Sequence, residues 1–302
     1  MIVSSWCDSK RRRKSVTLFE DKTMQLPIPS HFDPTNAEKV YRVDYAALAP
    51  AAEAGAKQHN ITKAATDRIK VCLMLIDCQN TFCLPDFELF VGGRSGRGAI
   101  NDNVRLARFV YTNAGVITNC AATMDTHTVM QVFHPLFWVA GQNFTDPMSK
   151  ITYKIGDHPV GAATMISVDD VEKGRWTVNP AVAHSVTNGN FVGLRNYALH
   201  YVRKLTQSGK YALTVWPYHA MLGGIGHALV SVIEEAFFFH NIARASQTDF
   251  QIKGGNPLTE NYSVLRPEVS AFADGTPIPN TGLNAPFFNR LTTNDVLVIA
   301  GQ

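Results

Sequence analysis

The run VCLMLID, Val71 to Asp77, decides the fold. A short continuous apolar run that ends in a carboxylate reads as a β-strand buried on both faces. Working outward, INDNVRLARFVYTNAG (Ile100 to Gly115) predicts a helix with Val104, Ala107, Phe109 and Val110 on its apolar side, closed by Gly115. VITNCAATMD (Val116 to Asp125) is a second strand. RNYALHYVRKLTQSG is a helix stopping at Gly209, and KYALTVW is the strand after it. HALVSVIEEAFFFHNIA sets Leu229, Val232, Ile233, Ala236 and Phe237 on one helical stripe, which makes the triple phenylalanine core rather than a ligand platform. TDFQIK and DVLVIAG are the last two strands. Strands alternating with helices predict an α/β protein with a parallel sheet covered by helices on both faces.

Upstream of this core, residues 1–23 form a polar, basic leader without periodicity, expected to be disordered. Its run KRRRK (Lys10 to Lys14) reads as a solvated tail; a nucleic-acid-binding role for it is the weaker reading. Residues 24–70 are expected to be an extended, proline-marked arm, with Met24 as a second candidate start, followed by a peripheral helix, YAALAPAAEAGAKQH, interrupted at Pro50. No repeat or low-complexity linker divides 71–302, so one domain is expected there.

The 302 residues carry a net charge of only +3, which leaves no global footprint for nucleic acid. No stretch approaches the ~18 apolar residues of a membrane span, and the N-terminus lacks the apolar core of a signal peptide. The five cysteines (Cys7, Cys72, Cys78, Cys83, Cys120) are an odd set with no CxxC and no zinc spacing, which predicts a reduced, cytoplasmic protein.

In open parallel sheets, ligands bind beyond the carboxyl ends of the strands. Asp77 ends the first strand, Asp125 the second, His219 follows the third after VWPY, and Lys253 ends the fourth. Within MDTHTVMQVFHP, Asp125 is joined by His127 and His134. With His219 they make a one-carboxylate, three-imidazole set suited to zinc, iron or manganese. Asp77 and Lys253 form a second constellation, either a structural ion pair or a pair that tunes a nucleophile. His200, His227 and His240 lie within helical patterns and read as structural or exposed. VGGRSGRG (Val91 to Gly98) lacks both the third glycine of a dinucleotide fingerprint and the Gly-Lys-Ser/Thr of a phosphate loop, so it reads as a flexible loop.

Taken together and in order, LMLIDCQNTF, TMDTH, WPYHAMLGGIG and IKGGNP resemble the motifs of the isochorismatase-like cysteine hydrolases, in their nicotinamidase branch, over about Leu73 to Gln302. The metal set favours that branch over isochorismatase itself, which does not rely on a metal. The resemblance implies a Rossmann-like three-layer α/β/α domain and a Cys-Asp-Lys triad. In it Asp77 is the base that takes the thiol proton and Lys253 the cation that holds the thiolate. It implies that Asp125, His127, His134 and His219 ligate a divalent ion, to which the ring nitrogen of nicotinamide would coordinate. Thiolate attack on the carboxamide would expel ammonia and leave a thioester for water to hydrolyse, with a small-molecule amide as the partner and self-association left open.

Two departures from the family pattern stand out. Between His134 and His219 lies an insertion, GDHPVGAATMISVDDVEKGRWTVNPAV, followed by a whole helix, which would reshape the substrate pocket. The family's nucleophilic cysteine follows the strand matched by DVLVIAG, and the chain ends at Gln302 before it. The expectation is therefore a fold incomplete at its C-terminus, with an exposed sheet edge, poor solubility unless a partner covers it, and no amidase turnover. The competing reading is a non-catalytic metal- or ligand-binding remnant of the same fold.

Overall fold

A computed structural model describes residues 2–4, 25–160, 164–207 and 211–302, the first three as backbone only. The first part of the chain forms β1 (Ile2–Ser4), α1 (Tyr45–Gln58), β2 (Val71–Ile76), α2 (Asn80–Cys83), α3 (Gly98–Thr112) and β3 (Asn119–Met124). The middle forms β4 (Trp138–Ala140), β5 (Phe144–Thr145), β6 (Thr152–Tyr153), β7 (Thr164–Ile166), α4 (Val168–Glu172), β8 (Trp176–Val178), α5 (Pro180–Thr187), α6 (Phe191–Gln207) and β9 (Leu213–Val215). The last part forms α7 (Ser231–Arg244), β10 (Asp249–Ile252), α8 (Ala285–Thr292) and β11 (Val296–Gly301).

These elements gather into two compact units. The first comprises residues 1–124, 228–251 and 286–302; the second comprises 125–227 and 252–285. The single domain expected over 71–302 counts the two together, because no change of composition marks their borders.

The first unit holds a five-stranded sheet in the order β1-β11-β2-β3-β10. β11, β2 and β3 run parallel, with Leu73 opposite both Val298 and Cys120. Helices flank this largely parallel sheet, giving the three-layer α/β/α class. The apolar run that opened the reading behaves as expected. Cys72, Leu73, Met74 and Leu75 are all buried, and Leu73 and Leu75 share a core with Ile233, Ala236 and Phe237 of α7. The edge expected to be bare beside DVLVIAG is paired: Ile2–Ser4 runs antiparallel to β11. The rest of the basic leader, KRRRK included, lies outside the described residues.

Several boundaries differ from expectation, each for a local reason. Pro50 does not interrupt α1, which runs through it as one helix. Asp44 caps its start by accepting from Ala47 N–H, and Leu48, Ala52 and Ala56 are buried along one face. That packing offsets the hydrogen bond a mid-helix proline forfeits. α3 ends at Asn113, whose side chain bonds back to the Phe109 carbonyl, rather than at Gly115. Of its expected apolar positions Ala107 and Val110 are fully buried, while Val104 and Phe109 flank the core. Gly209 lies outside the described residues.

The second unit has its own core, built on Trp138, Trp176, Phe133, Phe137, Tyr153 and Tyr201. Three two-stranded antiparallel ribbons surround it: β4–β8, β5–β6 and β7–β9. α6 supplies the spine. Leu194, Tyr197, Ala198, Tyr201, Val202 and Leu205 recur at three- and four-residue intervals and are buried, the stripe an amphipathic helix needs. The insertion read from the sequence contributes Ile166, Val171, Trp176, Val178 and Val182 to this core. It also corrects the strand count. KYALTVW contributes β9, which pairs with β7 and is no member of the five-stranded sheet. Of the four strands expected to present residues at one sheet edge, three belong to that sheet.

Candidate metal centre

Asp125 directly follows β3, and the next residues run beside a segment distant in sequence. His127 N–H donates to the Ala220 carbonyl at 3.0 Å, and Leu222 N–H donates to the His127 carbonyl at 3.0 Å. This two-bond parallel bridge between His127 and Met221 sets TMDTH against WPYHAML and so delivers His219. The loop carrying it is tightly wound: Ala220, the residue after His219, has φ +44°, a left-handed conformation seldom adopted by a residue with a Cβ.

Asp125, His127 and His219 are buried, and one ligand atom from each lies within 4.8 Å of the others, so the cluster could coordinate a metal ion. His127 Nε2 is 2.7 Å and His219 Nε2 3.3 Å from the same oxygen, Asp125 Oδ2. Lys253 Nζ lies 3.8 Å from the other, Oδ1. Burial alone would raise the Asp125 pKa. Protons carried towards it by His127 and, in its doubly protonated form, His219, with the charge on Lys253, outweigh it and hold the carboxyl well below the usual carboxylate range.

His134 stands one step out. Its ring centroid is 5.5 Å from that of His127 and 6.1 Å from that of His219, and its nitrogens fall outside the three-residue cluster. Burial, with His127 and His219 nearby, lowers its pKa to about 3, so the ring is neutral at ordinary pH. Its Nδ1 faces the Thr128 carbonyl at 2.9 Å and must donate, because a carbonyl only accepts. Nε2 is then a bare lone pair, buried and without a hydrogen-bond partner.

The same logic applies to His219. Nδ1 donates to the Pro217 carbonyl at 2.7 Å, which turns Nε2 towards the Asp125 carboxylate. Two acceptors facing one another repel unless a second proton or a cation lies between them. A buried polar atom left unpaired costs about 1–3 kcal/mol, and His127 Nδ1 and His134 Nε2 are both in that state. Imidazoles whose Nδ1–H is fixed by a backbone carbonyl present Nε2 as metal ligands do. The donor set therefore fits a divalent cation.

Asp77 belongs to the first unit. It too has a left-handed backbone, φ +54°, and accepts from Thr123 Oγ1 at 2.8 Å. The cysteines are equally informative. Cys72, Cys78, Cys83 and Cys120 are free and buried, and burial pushes every one of these thiols upward, Cys72 and Cys83 to about 12. None has the electropositive, accessible setting of a thiolate nucleophile. Cys83 closes α2.

Two further residues of the second unit were not assigned to the site by the sequence. His227 lies not in α7 but in a single 3₁₀ turn, Ile225–His227, where its Nε2 is 2.8 Å from Thr126 Oγ1, between two of the clustered residues. Glu260 is buried in the second unit, and its backbone N–H faces the Tyr201 hydroxyl at 3.3 Å. No motif marks either; only the spacing of a buried acid after Lys253 could have drawn attention to Glu260. His200 and His240 are structural as expected, bonded to the Ala271 and Ile117 carbonyls.

No family model and no curated protein matches the chain. Among solved structures it is similar to the yeast nicotinamidase bound to the inhibitor nicotinaldehyde, at 12% identity over 77% of this chain and 74% of that one, with a TM-score of 0.39. It is also similar to a nicotinamidase/pyrazinamidase of Acinetobacter baumanii, at 13% identity over 78% and 72% of the two chains, with a TM-score of 0.39.

Proposed function

We propose that this chain carries a nicotinamidase-type amidohydrolase site, in which a divalent ion and a lysine receive nicotinamide or a related carboxamide. One observation carries the reading: His219 spends its only neutral-form proton on Pro217 and aims its second nitrogen at the Asp125 carboxylate, 3.3 Å away. In the proposal Asp125, His127 and His219 hold the ion, with His134 beside them offering its unpaired Nε2. A bound zinc, iron or manganese ion would supply Lewis acidity and a coordination position for a ring nitrogen. Lys253, ion-paired with Asp125, gives the site a fixed cation that favours negative charge developing on a nearby group. Asp77 is assigned the proton-accepting role that the motif resemblance implies.

The buried state of the four described thiols favours a second reading, in which the site binds metal and carboxamide without turnover. Calorimetric titration of metal-loaded protein with nicotinamide, alongside an ammonia assay, separates the two. Binding with ammonia release supports the hydrolase; binding alone supports the second reading. A protein that takes up no divalent ion overturns both.

A further inference from the structure

We propose that Glu260 is a positioning residue of the metal centre, acting through Trp216 on His219 and on the segment that carries His134. The inference rests on the metal-centre reading and extends it to a residue outside the ligand set. Glu260 is 6% exposed, and a carboxyl so deeply buried is costly unless its oxygens are hydrogen-bonded. The Tyr262 hydroxyl and the Trp216 indole are the neighbouring donors that act against that cost. The indole Nε1–H also faces Tyr262 Oη at 3.3 Å, which closes a three-residue network.

Trp216 is the pivot. Its backbone N–H donates to the Phe133 carbonyl at 2.8 Å, next to His134. Its ring lies edge-on to His219 at 6.5 Å between centroids, across Pro217, whose carbonyl fixes the His219 tautomer. The loop leading to Glu260 makes further ties to the same segment. Val132 N–H donates to the Pro257 carbonyl at 2.9 Å, and Gln131 reaches the Asn256 carbonyl with its amide while accepting from Thr128 N–H. The loop after Lys253 therefore braces the ligand segments from behind. Partners of this kind orient ligand rings, and losing one weakens metal binding by roughly 10–100-fold.

The test measures Co²⁺ affinity and the visible Co²⁺ absorption band of the full chain and three variants, with near-ultraviolet circular dichroism to verify folding. Glu260→Ala is expected to bind Co²⁺ about 10–100-fold more weakly with an altered band. Glu260→Gln, which keeps an acceptor for the indole and a donor besides, is expected to restore both; a purely structural role would leave the band unmoved. A folded Glu260→Ala variant with wild-type affinity and band overturns the proposal. If that variant does not fold, Trp216→Phe decides, since it keeps an aromatic ring and loses the indole N–H together with the fused pyrrole: weaker binding with a shifted band supports the proposal and unchanged binding overturns it. Wild-type protein that binds no Co²⁺ overturns the metal centre itself, a result separate from equal binding by all variants.

Discussion

His219 Nε2 lies 3.3 Å from Asp125 Oδ2 while His219 Nδ1 is committed to the Pro217 carbonyl at 2.7 Å. With one proton on the ring, the second nitrogen meets the carboxylate as a lone pair. The contact is attractive only with an added positive charge between or upon the two groups.

The first expectation concerns that charge. Wild-type protein should retain about one divalent ion per chain after dialysis, and His219→Ala should lose more affinity than the roughly 10–100-fold typical of residues behind the ligands. Elemental analysis of both proteins checks it. The ion should also raise the melting point, since a ligand at 100 times its Kd stabilises the native state by about 2.7 kcal/mol.

Acid and base should bend the stability of the metal-free protein from opposite sides. His134 drops from 6.5 unfolded to about 3 folded, so the folded state resists a proton that the unfolded chain accepts, and stability is lost as pH falls from about 6.5 towards 3. Glu260 rises from 4.5 to about 8, so its contribution is complete below 4.5 and is lost as pH climbs towards 8. Each slope is at most about 1.4 kcal/mol per pH unit, and the two oppose each other between 4.5 and 6.5. Urea unfolding should therefore show a plateau there, and Glu260→Gln should remove the loss above it. An unchanged alkaline limb in that variant would count against the assignment.

Ala220 sits at φ +44° beside His219, where its Cβ is strained. Ala220→Gly relieves that strain but frees the unfolded chain, and strain of this kind costs about 1–3 kcal/mol. A gain of up to about 1–2 kcal/mol in unfolding free energy is expected. Denaturant titration of wild type and variant reads it, and a loss of stability would show the backbone there to be relaxed.

The thiols should be silent in the folded state. With Cys7 replaced by serine, a colourimetric thiol reagent at pH 8 should react with none of Cys72, Cys78, Cys83 and Cys120 until denaturant is added. Fast labelling of any of them in native protein would reopen the search for a nucleophile among the described residues.

Much of the fold was legible because it is written in local pattern. VCLMLI is apolar at every position, and a strand buried on both faces requires that, whatever its neighbours. The stripe Val232, Ile233, Ala236, Phe237 is a property of one helix and its repeat. The place of KYALTVW was not legible. An apolar strand of that length suits a central sheet and a two-stranded ribbon equally well, and only its pairing with Thr164–Ile166 settles which. Pro50 failed as a breaker for a related reason: tertiary packing of Ala52 and Ala56 overrode a local preference.

By itself the sequence determined the α/β class, the strands that lead to Asp77, Asp125 and Lys253, and the residue types of a metal set. Tertiary structure alone decided which of those residues meet. Asp125, His127 and His219 converge because His127 exchanges backbone hydrogen bonds with Ala220 and Leu222, while His134, bonded to the Thr128 carbonyl, stays outside their cluster. Hydrophobic period reports what a segment does with its own face. The approach of two distant backbones depends on turns and long-range hydrogen bonds, and these leave no mark on the spacing of side chains along the chain.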